Sequence, residues 1–148
     1  YRTGFMDEAP HARRRIVNLP LPPRRGDAAF AAIAEAVLTP LVETFAPQMI
    51  LVSAGFDSHW NDPLAELGLS SGGYHALACH LRRLADTFCA GRLVFFLEGG
   101  YNPVNIASGV EAVLSALNDC PFTPGDPSPY PEPQTAGRIT WLRNWHGW

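Results

Sequence analysis

Two uninterrupted apolar runs, "QMILVSA" (48–54) and the centre of "RLVFFLEGG" (92–100), are separated by segments whose apolar residues recur every three or four positions. A continuous apolar run reads as a strand buried on both faces. A spacing of three and four marks one face of a helix. From Ala28 to Phe45 that face is Phe30, Ile33, Val37, Leu41 and Phe45, with an interruption expected at Pro40 and Asp27 as the expected N-cap. From 71 to 90 it is Tyr74, Leu77, Ala78, Leu81, Leu84, Ala85 and Phe88, closed by Gly91. From 104 to 117 it is Ile106, Val110, Val113, Leu114 and Leu117. A short β-rich run, "IVNLPL" (16–21), precedes them all. The order β-α-β-α-β-α predicts an α/β domain, a parallel sheet with helices on its faces.

The flanking segments carry no such pattern. Residues 1–15 read as a loop, with Arg13, Arg14 and Arg15 as a solvated patch. Residues 57–70 read as a loop, and "PFTPGDPSPYPEPQ" as an extended segment. The tryptophans of the final "ITWLRNWHGW" are expected to cover the domain's own surface. With 148 residues and 47% hydrophobic content, one domain can bury a sizeable core. A net charge of −3 builds in no field for nucleic acid or an anionic membrane, and neither is an expected partner. No apolar run of about 18 residues stands out, so no membrane span is expected. Cys79, Cys89 and Cys120 lack a C-x-x-C spacing. They read as reduced thiols of a cytoplasmic protein and not as zinc ligands.

Ligands of parallel α/β sheets bind beyond the carboxyl ends of the strands. Two strand exits carry polar groups there: Gly55-Phe56-Asp57 and Glu98-Gly99-Gly100-Tyr101. Parallel strands share a direction, so Asp57 and Tyr101 could share one cleft. Asp57 reads either as a turn former or as a metal ligand or general base. Tyr101 reads either as a packed aromatic or as a donor to substrate. His59 reads as a loop histidine facing water in preference to a second ligand. His75 and His80, five apart on a helix, do not face one ligand together.

The stretch "LVSAGFDSHWNDPLAELGLSSGGY", followed by "GRLVFFLEGGYN", resembles the C-terminal half of the histone deacetylase family. It is most similar to the class II-like deacetylases and their bacterial relatives, including acetylpolyamine amidohydrolases. "IVNLPLPP" resembles the strand before that segment, and the likeness spans about residues 12–118. The resemblance implies an arginase-like three-layer α/β/α fold, present here as a partial domain. Residues 1–120 would be the C-terminal part of a deacetylase catalytic domain and 121–148 a tail. It also implies zinc-dependent hydrolysis of an acetylated lysine or acetylated polyamine by the full-length, bacterial protein. Asp57 would be a zinc ligand, Tyr101 the donor to the acetyl carbonyl and its oxyanion, and Gly99 and Gly100 would border the substrate.

Two of the family's motifs have no counterpart. The chain contains no His-His pair, and its one Asp-x-His is Asp57-Ser58-His59. The isolated chain is therefore expected to bind zinc weakly and not to deacetylate. The alternative is a noncatalytic binding or assembly module that keeps the deacetylase fold.

Overall fold

The computed structural model describes residues 16–125 and 127–147; the loop expected over 1–15, with its arginine run, lies outside them. The first helical segment comprises α1 (Asp27–Ile33), a π-helical turn (Ala34–Leu38) and α2 (Thr39–Phe45). Pro40 has no N–H to give, and the interruption it predicts takes the form of that π turn, where the Thr39 N–H reaches back to the Ala34 carbonyl. Then follow β1 (Ile50–Ala54), α3 (Ser71–Phe88), β2 (Leu93–Leu97), α4 (Pro103–Leu117) and α5 (Ala136–His146).

β1 and β2 pair in parallel, from Ile50 opposite Leu93 to Ala54 opposite Leu97. α3 makes the crossover between them. Ser70 caps it, its hydroxyl accepting the Gly73 N–H at 3.2 Å. Gly91, at φ +75°, ends it by donating its N–H to the Ala85 carbonyl at 3.0 Å. Asn102 caps α4 through the Val104 N–H at 3.1 Å, and Pro103 occupies the first turn, where a missing N–H costs nothing.

One core lies between the sheet and the α3–α4 pair: Phe56, Leu69, Tyr74, Ala78, Ala112, Val113 and Ala116, with Ala54 and Phe95 packed onto it from the strands. Ala78, Ala112 and Ala116 are small enough for α3 and α4 to pack closely. A second cluster joins Val37 to Ile139 and Leu142 of α5. Leu142 is fully buried, which stabilises the docked helix by about 2 kcal/mol.

The α/β class and the parallel pairing match the sequence pattern. Three expectations are corrected. "IVNLPL" forms no strand; Val17 and Leu19 pack instead against the Val37–Ile139–Leu142 cluster. The strands are not buried on both faces, since the helices cover only one side. Leu51 and Phe96 remain 61% and 52% exposed, so this chain presents one helical layer of the α/β/α arrangement. The 19-residue segment 27–45 is long and apolar enough to cross a membrane, contrary to the expectation of no such run. Within it only Ala29, Ala34 and Val37 are buried in the fold.

The tail does not stand apart. Glu132 reaches the start of α1, where its carboxylate accepts the N–H groups of Gly26 (2.9 Å), Ala28 (3.0 Å) and Ala29 (2.6 Å). A negative charge on unsatisfied N–H groups is favoured by the helix dipole. The cap position is Gly26 and not Asp27. Asp27 instead accepts from the backbone N–H and hydroxyl of Ser70, at 2.8 and 2.5 Å, tying α1 to α3. α5 turns Ile139, Leu142 and His146 inward, while Trp141 and Trp145 stack on each other 5.8 Å apart. The inner face of α5 is thus made by Ile139, Leu142 and His146, while Trp141 is 39% exposed.

Candidate active site

Both glycine-bearing strand exits lie at the carboxyl edge of the sheet. β1 runs into Gly55 and a single 3₁₀ turn, Phe56–Ser58, that carries Asp57. β2 runs into Gly99 and Gly100. The two exits are joined by backbone hydrogen bonds: Glu98 N–H to Ala54 O at 3.0 Å and Phe56 N–H to Gly99 O at 2.7 Å.

Asp57 folds back over that junction. A Cβ placed on Gly99 would stand 2.7 Å from Asp57 Oδ2, and one on Gly55 would stand 2.6 Å from Oδ1. Both glycines are therefore needed for the carboxylate to lie where it does. Among the described residues no hydrogen bond or ion pair engages that carboxylate. A turn former would spend its oxygens on nearby N–H groups. Asp57 does not, and it remains half-buried with its acceptor capacity unused.

Tyr101 follows two residues after Gly99. It is 54% exposed, so it is not a packed aromatic. Gly100 has φ +138°, and a Cβ there would stand 2.8 Å from Ile106 Cγ1 and 3.2 Å from Phe56 Cβ. The roles visible for Gly99 and Gly100 are thus close approach and an unusual backbone angle. The structure brings Asp57 and the Tyr101 segment together at Gly99, as one sheet edge requires.

The loop after Asp57 is stitched across the same edge. Asp62 accepts the Tyr101 N–H at 2.9 Å on one oxygen, and the Leu64 and Ala65 N–H groups at 2.9 and 3.2 Å on the other. Burial acts to raise its pKa, but these three donors and nearby His59 outweigh it and leave the carboxyl below its ordinary value. Asn61 O accepts from the Asn105 side chain at 2.8 Å. The link from Asp62 to Tyr101, 39 positions away, has no signature in the sequence.

His59 is buried and does not face water, which corrects its expected placement. Its ring stacks on Tyr74 with centroids 6.4 Å apart, and its Nδ1 accepts the Asn61 N–H at 3.2 Å. Burial holds its pKa below the ordinary value, against the pull of Asp27 and Asp62. Tyr74 also meets Phe56, at 5.1 Å, so it braces both ends of the turn that delivers Asp57. Its hydroxyl is buried beside the Ser58 side chain. Burial first, then the Asp57 and Asp62 carboxylates, push that phenol far above its usual pKa. Of the two tyrosines, Tyr101 is the one a substrate can reach.

A larger groove, about 460 Å³, lies between α1 and α3, lined by Ala31, Gly73, Ala76 and His80. Its histidine is already engaged: His80 contacts Thr39 Oγ1 at 3.0 Å and Glu35 at 3.3 Å. It includes neither Asp57 nor Tyr101.

Residues 2–117 match the histone deacetylase domain. The chain belongs to the histone deacetylase family. It is 46% identical over 101 residues to histone deacetylase 14, chloroplastic, of Arabidopsis thaliana, covering 68% of this chain and 24% of that protein. It is 34% identical over 111 residues to a histone deacetylase-like amidohydrolase of Pseudomonas aeruginosa, covering 75% of this chain and 29% of that one. The crystal structure of the HDA15 HD domain superposes with a TM-score of 0.79 at 27% identity, covering 97% of this chain and 38% of that chain. The chain thus spans about a quarter of the length of the curated relatives it matches. Plant histone deacetylases and a bacterial histone deacetylase-like amidohydrolase thus both lie among these relatives.

The family implies zinc. Asp57 suits it, as a half-buried anionic oxygen with no competing donor. No group of three or more His, Cys, Asp or Glu side chains that could hold a metal occurs among the described residues. These residues would offer zinc Asp57 alone and not a complete set.

Proposed function

We propose that this chain forms the carboxyl-side part of a zinc-dependent deacetylase active site, acting on the N-acetyl amide of a lysine side chain or a polyamine. The observation that carries the reading is the Asp57 carboxylate lying over Gly99, two residues from an exposed Tyr101. Bound zinc would polarise the acetyl carbonyl and lower the pKa of a coordinated water. Asp57 would hold the metal through a hard oxygen whose root is fixed by β1. Tyr101 would donate its O–H to the carbonyl oxygen as negative charge develops there. Gly99 and Gly100 keep side chains out of the space beside that oxygen and so border the substrate.

A catalytic zinc site takes three protein ligands. With Asp57 as its one ligand and no His-His pair for proton transfer, the chain by itself binds zinc weakly and is inactive; measurable turnover of an acetyl-lysine peptide by the purified 148 residues would refute this. In a protein that joins this chain to the complete ligand set, Tyr101→Phe lowers turnover by about two orders of magnitude, the scale of one lost oxyanion donor. A loss of less than about threefold would remove Tyr101 from the chemistry.

The open sheet face, with Leu51 and Phe96 exposed, favours a second reading: a noncatalytic assembly module that retains the fold. Zinc content of the whole protein separates the two, since the module requires none.

A further inference from the structure

We propose that Asp62 is a positioning residue for Tyr101, and that its carboxylate sets where the phenol points. This rests on the reading of Tyr101 as the oxyanion donor. Tyr101 sits at the end of a two-glycine hinge, and Gly100 at φ +138° leaves the backbone free to turn. The ring is 54% exposed, so packing does not orient it. What fixes the residue is its own backbone N–H, held by Asp62 Oδ2 at 2.9 Å. A bond from N–H to an ionised carboxylate is about twice as strong as a neutral one.

Asp62 is itself immobilised. Its other oxygen accepts the Leu64 and Ala65 N–H groups, so the carboxylate plane is set by its own loop before it meets Tyr101. That loop is anchored in turn: Asn105, a buried residue in the first turn of α4, donates its side-chain N–H to Asn61 O at 2.8 Å. The freedom that the glycines give the Tyr101 segment is removed from outside, by a loop that also starts at Asp57. One loop thereby spaces the carboxylate and the phenol relative to each other.

The discriminating substitution is Asp62→Asn. An amide keeps one acceptor oxygen but presents N–H groups on the other side, where a backbone N–H already points. One side of the bridge must break. In the 148-residue chain, amide hydrogen exchange at Tyr101 should speed by at least about tenfold in Asp62→Asn; unchanged exchange overturns the proposal whatever the activity. In the active protein containing this chain, Asp62→Asn should lower kcat about tenfold with KM within about twofold, since a misplaced catalytic group can cost up to a hundredfold. In a Tyr101→Phe background the same change should cost less than about twofold, because the group it positions is gone. Equal losses in both backgrounds would show that Asp62 acts on the fold and not through Tyr101, and would also overturn the proposal. A wild-type protein with no deacetylase activity sinks the catalytic reading alone, and the exchange measurement still decides whether Asp62 holds Tyr101.

Discussion

The carboxylate of Asp57 rests against the backbone of Gly99, so close that a methyl group on Gly99 would fall 2.7 Å from Oδ2 and 2.8 Å from Cγ. A residue on one strand exit therefore depends on the absence of a side chain on the other. Gly99→Ala should push the carboxylate out of place while leaving the fold intact, because Gly99 is not in the left-handed region. Zinc affinity of the active protein should fall at least tenfold, and turnover with it, on the scale of a misplaced ligand of about 1 Å. Unchanged zinc affinity by competition titration would mean that Asp57 relaxes freely and that the contact is incidental.

Gly100→Ala should behave differently. Its φ of +138° is strained for any side chain, and the new Cβ would press on Ile106 and Phe56 in the core. Backbone strain and overpacking together should cost about 2–5 kcal/mol, read as a lowered urea midpoint. A loss below about 0.5 kcal/mol would show that the Tyr101 loop accommodates the methyl by moving away.

Glu132→Ala removes a carboxylate that accepts three N–H groups at the start of α1. Charge-assisted hydrogen bonds contribute about 1.5–3 kcal/mol, discounted here because the residue is only partly buried, so a loss of about 1–2 kcal/mol is expected. Glu132→Gln should recover part of it, since one oxygen remains. A melting temperature unchanged in both variants would place the tail outside the folding unit.

His59 makes stability fall on acidification. Its folded pKa lies below the model-peptide value of 6.5, so the unfolded chain takes up the proton first. The contribution is complete above pH 6.5 and is lost as pH falls from there through the folded value. Asp62, also lowered from its ordinary 3.8, adds a second loss only below that pH. Urea denaturation at pH 7.5, 6.5 and 5.5 should show a decline that is shallower in His59→Phe, which keeps the ring on Tyr74. Identical slopes in the two proteins would assign the acid sensitivity to other groups.

Local pattern was enough for the helices of 71–88 and 103–117, both strands, their parallel direction, and the nomination of Asp57 and Tyr101. Each of these is set by periodicity or by glycine and proline within a few residues, and a parallel pair must deliver both exits to one edge. The run 16–21 reads as a strand because Ile16, Val17 and Leu19 favour extended backbone, yet a strand exists only when another segment offers hydrogen bonds, and Val17 and Leu19 find apolar contacts instead. The burial of His59 was equally closed to sequence, since it depends on Tyr74 arriving from α3. So did the capping of α1 by Glu132, from more than a hundred positions away, and the bond from Asp62 to Tyr101. Sequence alone determined which groups stand at the strand exits, because backbone propensity is local. Only the tertiary structure decided which N–H each carboxylate holds, because those partners lie far apart in the chain and a hydrogen bond forms only within about 3 Å.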